Sequence, residues 1–558
     1  MLLNVASESY IMVGSFYWYP AIFQMIRKTL EIFSNATLKT LSEKCKTLNQ
    51  FKEIHAHLII CHLPENPVII GPLLSVLATS NNASFFSYAR LIFQHLRFRN
   101  TFMYNTMIRG YLQNKDQVFA FFCYIDMLRF GLVANNYTFP PLIKACCSGS
   151  SFRNAKLIGC SVHGHVLKLG FEDDQFVGSS LVDFYSANSE IGNARMLFDE
   201  IPIKDVVLWT ALIDGYGKNE DIVNARKLFD EMPERTVISW SAIMAAYSRV
   251  NDFHEVISLF TKMQKLNIKP NDSILVTVLT ACANLGALTQ GSWIHLYAKK
   301  HHLLSNPILS TSLVDMYSKC GCTNLALSVF ETISFKDTGA WNAIISGMAM
   351  NGEAKTSLKL LDQMVSIGIQ PSGPTFVAIL SGCAHVKMVK EGVDLFDRME
   401  KVYKVERKFE HYACVVDLYA RAGMLKEAME FIEVKLGGVG GRDVNVWGAL
   451  LGGCRSYGNV VVGNGVWRRM MEMGIGMSDY GVCVVCYKMY VEAGWKREAE
   501  EVRNRIREMG IRKTPGCSVV EVNGVVEEFV SGGVCHHKGL EISKMLDLLF
   551  NVDALMLS

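Results

Sequence analysis

Sixteen cysteines and fourteen histidines in a chain of 558 residues are enough to build a metal centre or a nucleophilic site, so their spacing is weighed first. A zinc site that activates water against a nucleobase needs a His-x-Glu, where His binds the metal and Glu moves protons. It also needs a Pro-Cys-x-x-Cys that supplies two thiolates. None of the fourteen histidines is followed two residues later by Glu. The single CxxC, Cys483 to Cys486, has no Pro before it and sits in the apolar run YGVCVVCYKMY, which reads as a packed helix face. Cys535, His536 and His537 are adjacent, but no second pair at zinc spacing accompanies them, and they read as a solvated loop. Cys320-Gly-Cys322 reads as a structural turn. No Walker-type loop, HExxH or Gly-x-Ser-x-Gly is present. The expectation is a chain with no catalytic residues, no metal and no cofactor.

The elements around these residues repeat. YNTMIRGY at 104–111, WTALIDGY at 209–216 and WNAIISGM at 341–348 are one phrase, and WSAIMAAY begins 31 residues after Trp209. After each opening come turn residues and a second apolar stretch, such as ARKLFDEMP (225–233), VISLFTKMQKLNIKP (256–270) or SLKLLDQMVSIGIQP (357–371). Both halves have helical spacing. Ile243, Met244 and Tyr247 share one face, as do Val256, Leu259, Phe260 and Met263 beyond the Asn251-Asp252 turn. Pro233, Pro270 and Pro371 close the second helix of their units. One helical hairpin cannot bury its own apolar face, whereas a stack builds a continuous core, so the fold class is all-α and the architecture an α-solenoid.

Composition agrees. A single core does not grow to this length, but a repeat array does. Half the residues are apolar, and the net charge of +3 permits a nucleic-acid partner without requiring one. Cysteines scattered along apolar faces, with no disulfide framework, predict buried thiols in a reducing compartment.

Units of 31, 35 and 36 residues that open YNTMI or WTALI and close MPERT or GIQPS resemble the pentatricopeptide repeat family of plants. Their mixed lengths resemble its PLS subclass, in which standard, long and short repeats alternate. The resemblance covers about 40–530. Residues 40–100 read as degenerate repeats, on LSEKCKTLNQFKEIHAHLI (41–59) and YARLIFQHL (88–96). The array proper spans 101–443. Thr101–Asn135 is a standard unit, Asn136–Asp174 a long one, and Gln175–Asp205 and Val206–Thr236 are short. Val237–Asn271, Asp272–Asn306 and Pro307–Asp337 repeat the triplet, and Thr338–Ser372, Gly373–Lys408 and Phe409–Asp443 form the last.

The resemblance implies a right-handed solenoid of helix-turn-helix repeats, similar to tetratricopeptide arrays, that reads single-stranded RNA. Each repeat would meet a base with its fifth and its last residue. Here those pairs are Asn105 with Asn135, Ser179 with Asp205, Thr210 with Thr236, Ser241 with Asn271, Thr311 with Asp337, and Asn342 with Ser372. Small amides, hydroxyls and carboxylates suit base edges, although Asn, Ser and Asp also cap helices. The family's code implies a pyrimidine for the first pair, guanine for Ser179/Asp205 and Thr311/Asp337, adenine for Ser241/Asn271 and cytosine for Asn342/Ser372, with the RNA running 5′ to 3′ along the chain. The long units carry Pro140, Val276 and Val377 at the fifth position, and the last short unit carries Ala413, so these read no base edge through a hydrogen bond.

VWGALLGGCRSYGNV (446–460) and the stretch 493–530 resemble the E1, E2 and E+ extensions of RNA-editing members, placed at 444–512 and 513–558. Gly516, Gly524 and the alternation of SVVEVNGVVEEFV predict a turn and a short β-hairpin. The tail stops where a DYW deaminase domain begins in longer relatives. The implied function is site recognition for C-to-U editing of organellar transcripts, with a separate DYW-type deaminase and other editing factors as partners. Splicing, stability or translation of RNA is the alternative, and a helical protein scaffold a more distant one. Residues 1–39 are expected to be an organellar targeting segment, mitochondrial rather than plastid. The apolar stretch 9–26 is broken by Pro20 and is not expected to anchor the chain in a membrane.

Overall fold

The computed structural model describes residues 47–60, 67–80, 82–147, 154–436, 443–475, 479–509, 517–522, 525–530, 541 and 544–545. The targeting segment, Cys535-His536-His537 and the KLGGVGGRD insertion except its ends lie outside them. The chain divides into two compact units, Met1–Arg249 and Val250–Ser558.

In the first unit the helices are α1 Leu48–Ile60, α2 Pro67–Ala78, α3 Ala83–His95, α4 Thr101–Gln113, α5 Gln117–Arg129, α6 Phe139–Cys147, α7 Ala155–Lys168, α8 Gln175–Ala187, α9 Ile191–Glu200, α10 Val206–Lys218, α11 Ile222–Glu231 and α12 Val237–Arg249. From α2 onward they alternate: α2, α4, α6, α8, α10 and α12 stack on one another, and each but the last also packs its own second helix. The upstream segment therefore holds one full pair, α2 with α3, preceded by α1.

The second unit continues the same plan with α13 Phe253–Lys265, α14 Asp272–Leu285, α15 Leu288–Lys300, α16 Pro307–Lys319, α17 Thr323–Thr332, α18 Thr338–Met350, α19 Ala354–Ser366, α20 Gly373–Val386, α21 Val389–Lys401, α22 Phe409–Arg421 and α23 Leu425–Leu436. The extension adds α24 Val444–Ser456, α25 Val460–Glu472, α26 Tyr480–Glu492 and α27 Lys496–Glu508. Here α14, α16, α18, α20, α22, α24 and α26 form the stack of first helices.

The recurring phrase explains this stacking. Its glycine lies where two first helices touch. A Cβ on Gly382 would stand 2.8 Å from that of Ala349, one on Gly453 would stand 2.7 Å from that of Ala420, and Gly215 and Gly347 face Ser186 and Ser318. Beyond the glycine, Asn351 donates from Nδ2 to the carbonyls of Gly347 and of Ser318 on the previous helix, both at 2.8 Å. Asn219 does the same to Gly215 and Ser186 at 2.9 Å. The aromatic that opens the phrase joins units the other way. Trp209, Trp240 and Trp341 pack edge-on against Phe198, Phe229 and Phe330 of the preceding second helix, centroids 4.8–4.9 Å apart. A cation just before the next unit covers each ring: Lys204, Arg235 and Lys336 lie 5.2 Å from these centroids. Each also donates to a carbonyl at the end of that helix, at 2.7–2.9 Å, which favours the helix's negative pole.

The tail forms the expected hairpin. β1 Cys517–Val522 pairs antiparallel with β2 Val525–Val530, Cys517 opposite Val530 and Val522 opposite Val525. Glu521 reaches α15, where its two carboxylate oxygens accept the Thr289 amide at 3.0 and 3.2 Å. The N-cap residue of α15 is Ala287, which has no side chain to do this itself. Among the described residues no helix is long and apolar enough to cross a membrane, and the stretch 9–26 lies outside them.

Candidate nucleic-acid interface

The fifth residue falls in the second turn of its first helix, and the last residue stands just before the next first helix. In two pairs they are directly bonded. Asn105 is 2% exposed, and its Nδ2 donates to Asn135 Oδ1 at 3.0 Å. Its Oδ1 accepts from the buried Thr138 hydroxyl at 2.8 Å. The direction of this network is dictated by the backbone: Asn135 Oδ1 also accepts the Tyr137 N–H at 3.1 Å, so it must face Asn105 as an acceptor. Asn105 is left with one N–H and one carbonyl lone pair for a ligand, in a fixed orientation. Asn342 repeats the arrangement, with Nδ2 donating to Ser372 Oγ at 3.2 Å and Oδ1 accepting from Thr375 Oγ1 at 2.6 Å.

The other pairs are built differently. Ser179 and Thr210 donate to carbonyls of their own helices, Phe176 at 3.2 Å and Val206 at 2.7 Å, and keep their lone pairs. The account by local backbone bonding therefore reaches these fifth residues as well as the caps. Asp205, Asn271 and Asp337 accept the amides of Leu208, Ile274 and Ala340 at 2.8–3.0 Å. The Thr236 hydroxyl oxygen is buried without a hydrogen-bond partner, so it is not joined to Thr210. Ser241 is half-buried on α12 in the first unit, while Asn271 caps α14 in the second. Thr311 and Asn342, from successive repeats, line one open cavity of about 330 Å3 between α16 and α18, together with Thr280, Asp315 and Ser346.

Sequence reasoning missed two rows of this surface. The second residue of many units is a large apolar side chain left in solvent: Phe102, Tyr137, Phe176, Val207, Ile238 and Ile308 are 50–67% exposed. Apolar side chains standing in solvent at this recurring place have faces of the kind on which unstacked bases can pack. The signal available was their constant place, two after each capping residue. The second row is the ninth residue, which is Asp in all four short units: Asp183, Asp214, Asp315 and Asp417. Three of them hold a cation one turn on, Lys218, Lys319 and Arg421, at 2.7–2.9 Å.

The thiols behave as core. Cys483 and Cys486 are buried beside Trp447, Val466 and Tyr490, and burial pushes the Cys486 thiol up to about 12 and Cys483 upward, away from the thiolate that binds metal. Cys320 and Cys322 flank Gly321, whose φ of 77° makes the turn between α16 and α17. Among the described residues no group of three His, Cys, Asp or Glu side chains could hold a metal ion.

Comparison with known proteins decides the family. The PPR repeat family matches at 99–148 and 336–385, and the PPR repeat matches at 207–237, 238–268, 309–334, 374–402 and 410–434. A pentatricopeptide repeat-containing protein of Arabidopsis thaliana is 42% identical over 499 residues, covering 88% of this chain and 78% of its own. The chain belongs to the pentatricopeptide repeat family. A second such protein of the same plant is 38% identical over 508 residues, covering 91% of this chain and 93% of its own. A third, whose name carries the word chloroplastic, is 38% identical over 523 residues and covers 93% of each. Among solved structures, the crystal structure of the pentatricopeptide repeat protein PPR10 from maize aligns with 89% of this chain and 78% of its own at 16% identity and a TM-score of 0.48. Such arrays are repeat-built binding surfaces, and no catalytic domain is seen in these matches.

Proposed function

We propose that this pentatricopeptide repeat protein binds single-stranded RNA in a sequence-dependent way, and that it is the site-recognition factor for C-to-U editing of an organellar transcript. The observation that carries the binding role is the recurrence of three residue types at fixed places at the starts of the first helices. An exposed apolar second residue, a polar fifth residue and a capping last residue recur from unit to unit, as at Phe102, Asn105 and Asn135. The six fifth-and-last pairs named above are the base readers, and the apolar row supplies the faces between which bases stack. A duplex buries its base edges in a groove that side chains do not read, so single strands are the substrate.

The editing role rests on the tail, whose sequence has the pattern of the E-type extensions of the PLS subclass. Four further helices and the hairpin follow the repeats, and they offer a docking element for a deaminase acting in trans. The protein contributes recognition, not chemistry. It works in an organelle, and relatives named chloroplastic bring the plastid alongside the mitochondrion.

Two measurements test this. Purified full-length protein is titrated with an RNA strand and with the same strand paired to its complement, and equal affinity overturns the single-strand reading. Organellar RNA from a plant lacking the protein is sequenced, and a specific cytidine that stays unconverted is the expected result. Altered transcript abundance or splicing, with every cytidine converted normally, would replace the editing role by RNA maintenance.

A further inference from the structure

The cavity between α16 and α18 has two rows of oxygen-bearing side chains, and the base-reading pairs use only one. The fifth-residue row is Thr311 and Asn342. The ninth-residue row, which also lines the cavity, is Thr280, Asp315 and Ser346, from three successive repeats. Residues four apart lie on one face of a helix and about 6 Å along its axis. A nucleotide whose base edge meets Thr311 and Asn342 directs its sugar away from that edge, and the ninth-residue row stands one turn away. A carboxylate only accepts hydrogen bonds, and the ribose offers one donor there, the 2′-hydroxyl.

We propose that the ninth-residue row is a ribose subsite, in which the aspartates of the short repeats accept the 2′-hydroxyl and make the array prefer RNA to DNA. This rests on the RNA-binding reading of the array and adds a second recognised group to it. The charge arrangement fits. A bare carboxylate repels a polyanion, but Asp315 Oδ2 is neutralised by Lys319 Nζ at 2.9 Å, Asp417 Oδ2 by Arg421 Nε at 2.7 Å, and Asp214 by both Lys218 at 2.7 Å and Arg249 at 3.1 Å. The Asp315 and Asp417 pairs thus present an acceptor without a net charge, and Asp214 with its two cations presents one in a net positive group. An exposed ion pair at this spacing contributes only about 0.3–0.5 kcal/mol to the fold, so stability alone gives weak reason to place Asp at the ninth position of every short unit. Asp183 is exposed and has no cation at the next turn of its own helix; partial desolvation pushes its carboxyl upward, with Lys218 and Lys144 opposing and Asp214 adding to it. The unit pattern also sets this row apart from the base code: Thr210 and Thr236 differ from Ser179 and Asp205, yet both short repeats keep the ninth-position Asp, as Asp214 and Asp183.

The full-length protein is first used to enrich an RNA from a random single-stranded library. The winner is then resynthesised with one 2′-deoxynucleotide at each position in turn, and with inosine for each guanosine. The wild type should lose roughly tenfold in affinity at the nucleotide facing the Pro307 repeat, the size expected for a hydrogen bond to a charged group. Asp315→Ala should abolish that one deoxy penalty and leave the penalties elsewhere, and Asp315→Asn, which keeps an acceptor, should restore part of it. Asp214→Ala should abolish the penalty three nucleotides toward the 5′ end, which keeps the test sharp if Asp315→Ala folds poorly. Deoxy penalties unchanged by these variants, or a loss by Asp315→Ala equal on the all-ribose and single-deoxy strands, would overturn the proposal. Coupling of Asp315 to inosine in place of the deoxy position would assign the carboxylate to the guanine amino group and overturn it too. Failure to enrich any RNA would instead overturn the RNA-binding reading and this inference with it.

Discussion

Thr138→Val tests whether Asn105 is oriented by a buried network. The change preserves shape and removes only a hydroxyl from a residue with no exposed surface. That hydroxyl's single proton is donated to Asn105 Oδ1 at 2.8 Å, with Asn135 Oδ1 a longer second acceptor at 3.1 Å, and its oxygen accepts the Asn135 N–H at 3.1 Å. Asn135 Oδ1 keeps the Tyr137 amide, but the Asn105 carbonyl and the Asn135 N–H are left without partners. Each orphaned group costs about 1–3 kcal/mol. Burying a methyl in place of the hydroxyl returns roughly 1 kcal/mol, so the net loss from the two groups should be about 1–5 kcal/mol. In a repeat array the loss is local. Hydrogen exchange should therefore show lost protection in peptides spanning 101–147, with peptides of the extension unaffected. Asn105 keeps its donor contact to Asn135, so RNA affinity should fall through the loosened carbonyl, and Thr138→Ser should restore protection and affinity together. A Val variant whose exchange stays within about 0.5 kcal/mol of wild type, the range of ordinary surface changes, would refute the claim that the hydroxyl holds this pair.

Gly347→Ala should destabilise by up to about 2 kcal/mol in urea unfolding, because overpacking against Ser318 outweighs the roughly 1 kcal/mol gained in helix propensity. Gly465→Ala, where nothing lies within 4 Å of the added carbon, should instead stabilise by up to about 1 kcal/mol, and the same sign for both would count against close helix contact. His55, His163 and His295 are held below the usual histidine value of 6.5 by burial, so the fold favours their neutral forms. Their stabilising contribution is complete above that value and is lost as pH falls below it, so the thermal midpoint should drop from neutral pH toward about pH 5, and His163→Gln with His295→Gln should flatten the drop. Asp337→Asn keeps the helix cap but exchanges an acceptor for a group that also donates. One base of the selected RNA should move from guanine toward adenine with a penalty of about 1–3 kcal/mol for the old base, whereas an even loss over all sequences would mean that Asp337 only caps its helix.

The helical pairs were legible in the sequence because the phrase encodes contacts and not only propensity. The apolar spacing of Ile243, Met244 and Tyr247 and of Val256, Leu259, Phe260 and Met263 marks residues that are all buried. The alternation in SVVEVNGVVEEFV likewise gave the hairpin. The polar pairs were legible only by position within a repeat. How a bonded pair is oriented depends on a third residue 33 places from the first, Thr138 for Asn105 and Thr375 for Asn342, and no local pattern announces it. The apolar second residues were passed over for a physical reason. Apolar type predicts burial on average, but Phe102 and Ile308 stay 50% and 67% exposed two residues after the cap, the Phe102 ring lying beside Gly71 of α2. The contact between Glu521 and Thr289 crosses 232 residues and has no counterpart in sequence spacing.

In the proposed reading, capping and base reading fall on the same residue, and this constrains what the array can recognise. Every first helix needs a side-chain acceptor at its start, and Asn, Asp, Ser and Thr supply it best. Those four types are also short enough to stay at the lip of the groove and polar enough to meet a base edge. Asp337 shows the division within one side chain: Oδ1 takes the Ala340 amide at 2.9 Å, leaving Oδ2 for a ligand. Asn135 divides the same way, with Oδ1 filled by protein donors while its amide nitrogen remains for a base. A change among the four types alters what is offered to the base while the helix stays capped. A change to any other type removes the cap and costs about 1 kcal/mol before RNA is considered. Recognition can therefore vary from unit to unit without disturbing the stack, provided the last residue is drawn from this narrow set. Two of the long units, whose fifth residues carry no hydrogen-bonding group, end on such a cap, Asp174 before α8 and Asn306 before α16, the latter accepting the Ile308 amide at 3.0 Å, whereas the third ends on Lys408, which cannot accept.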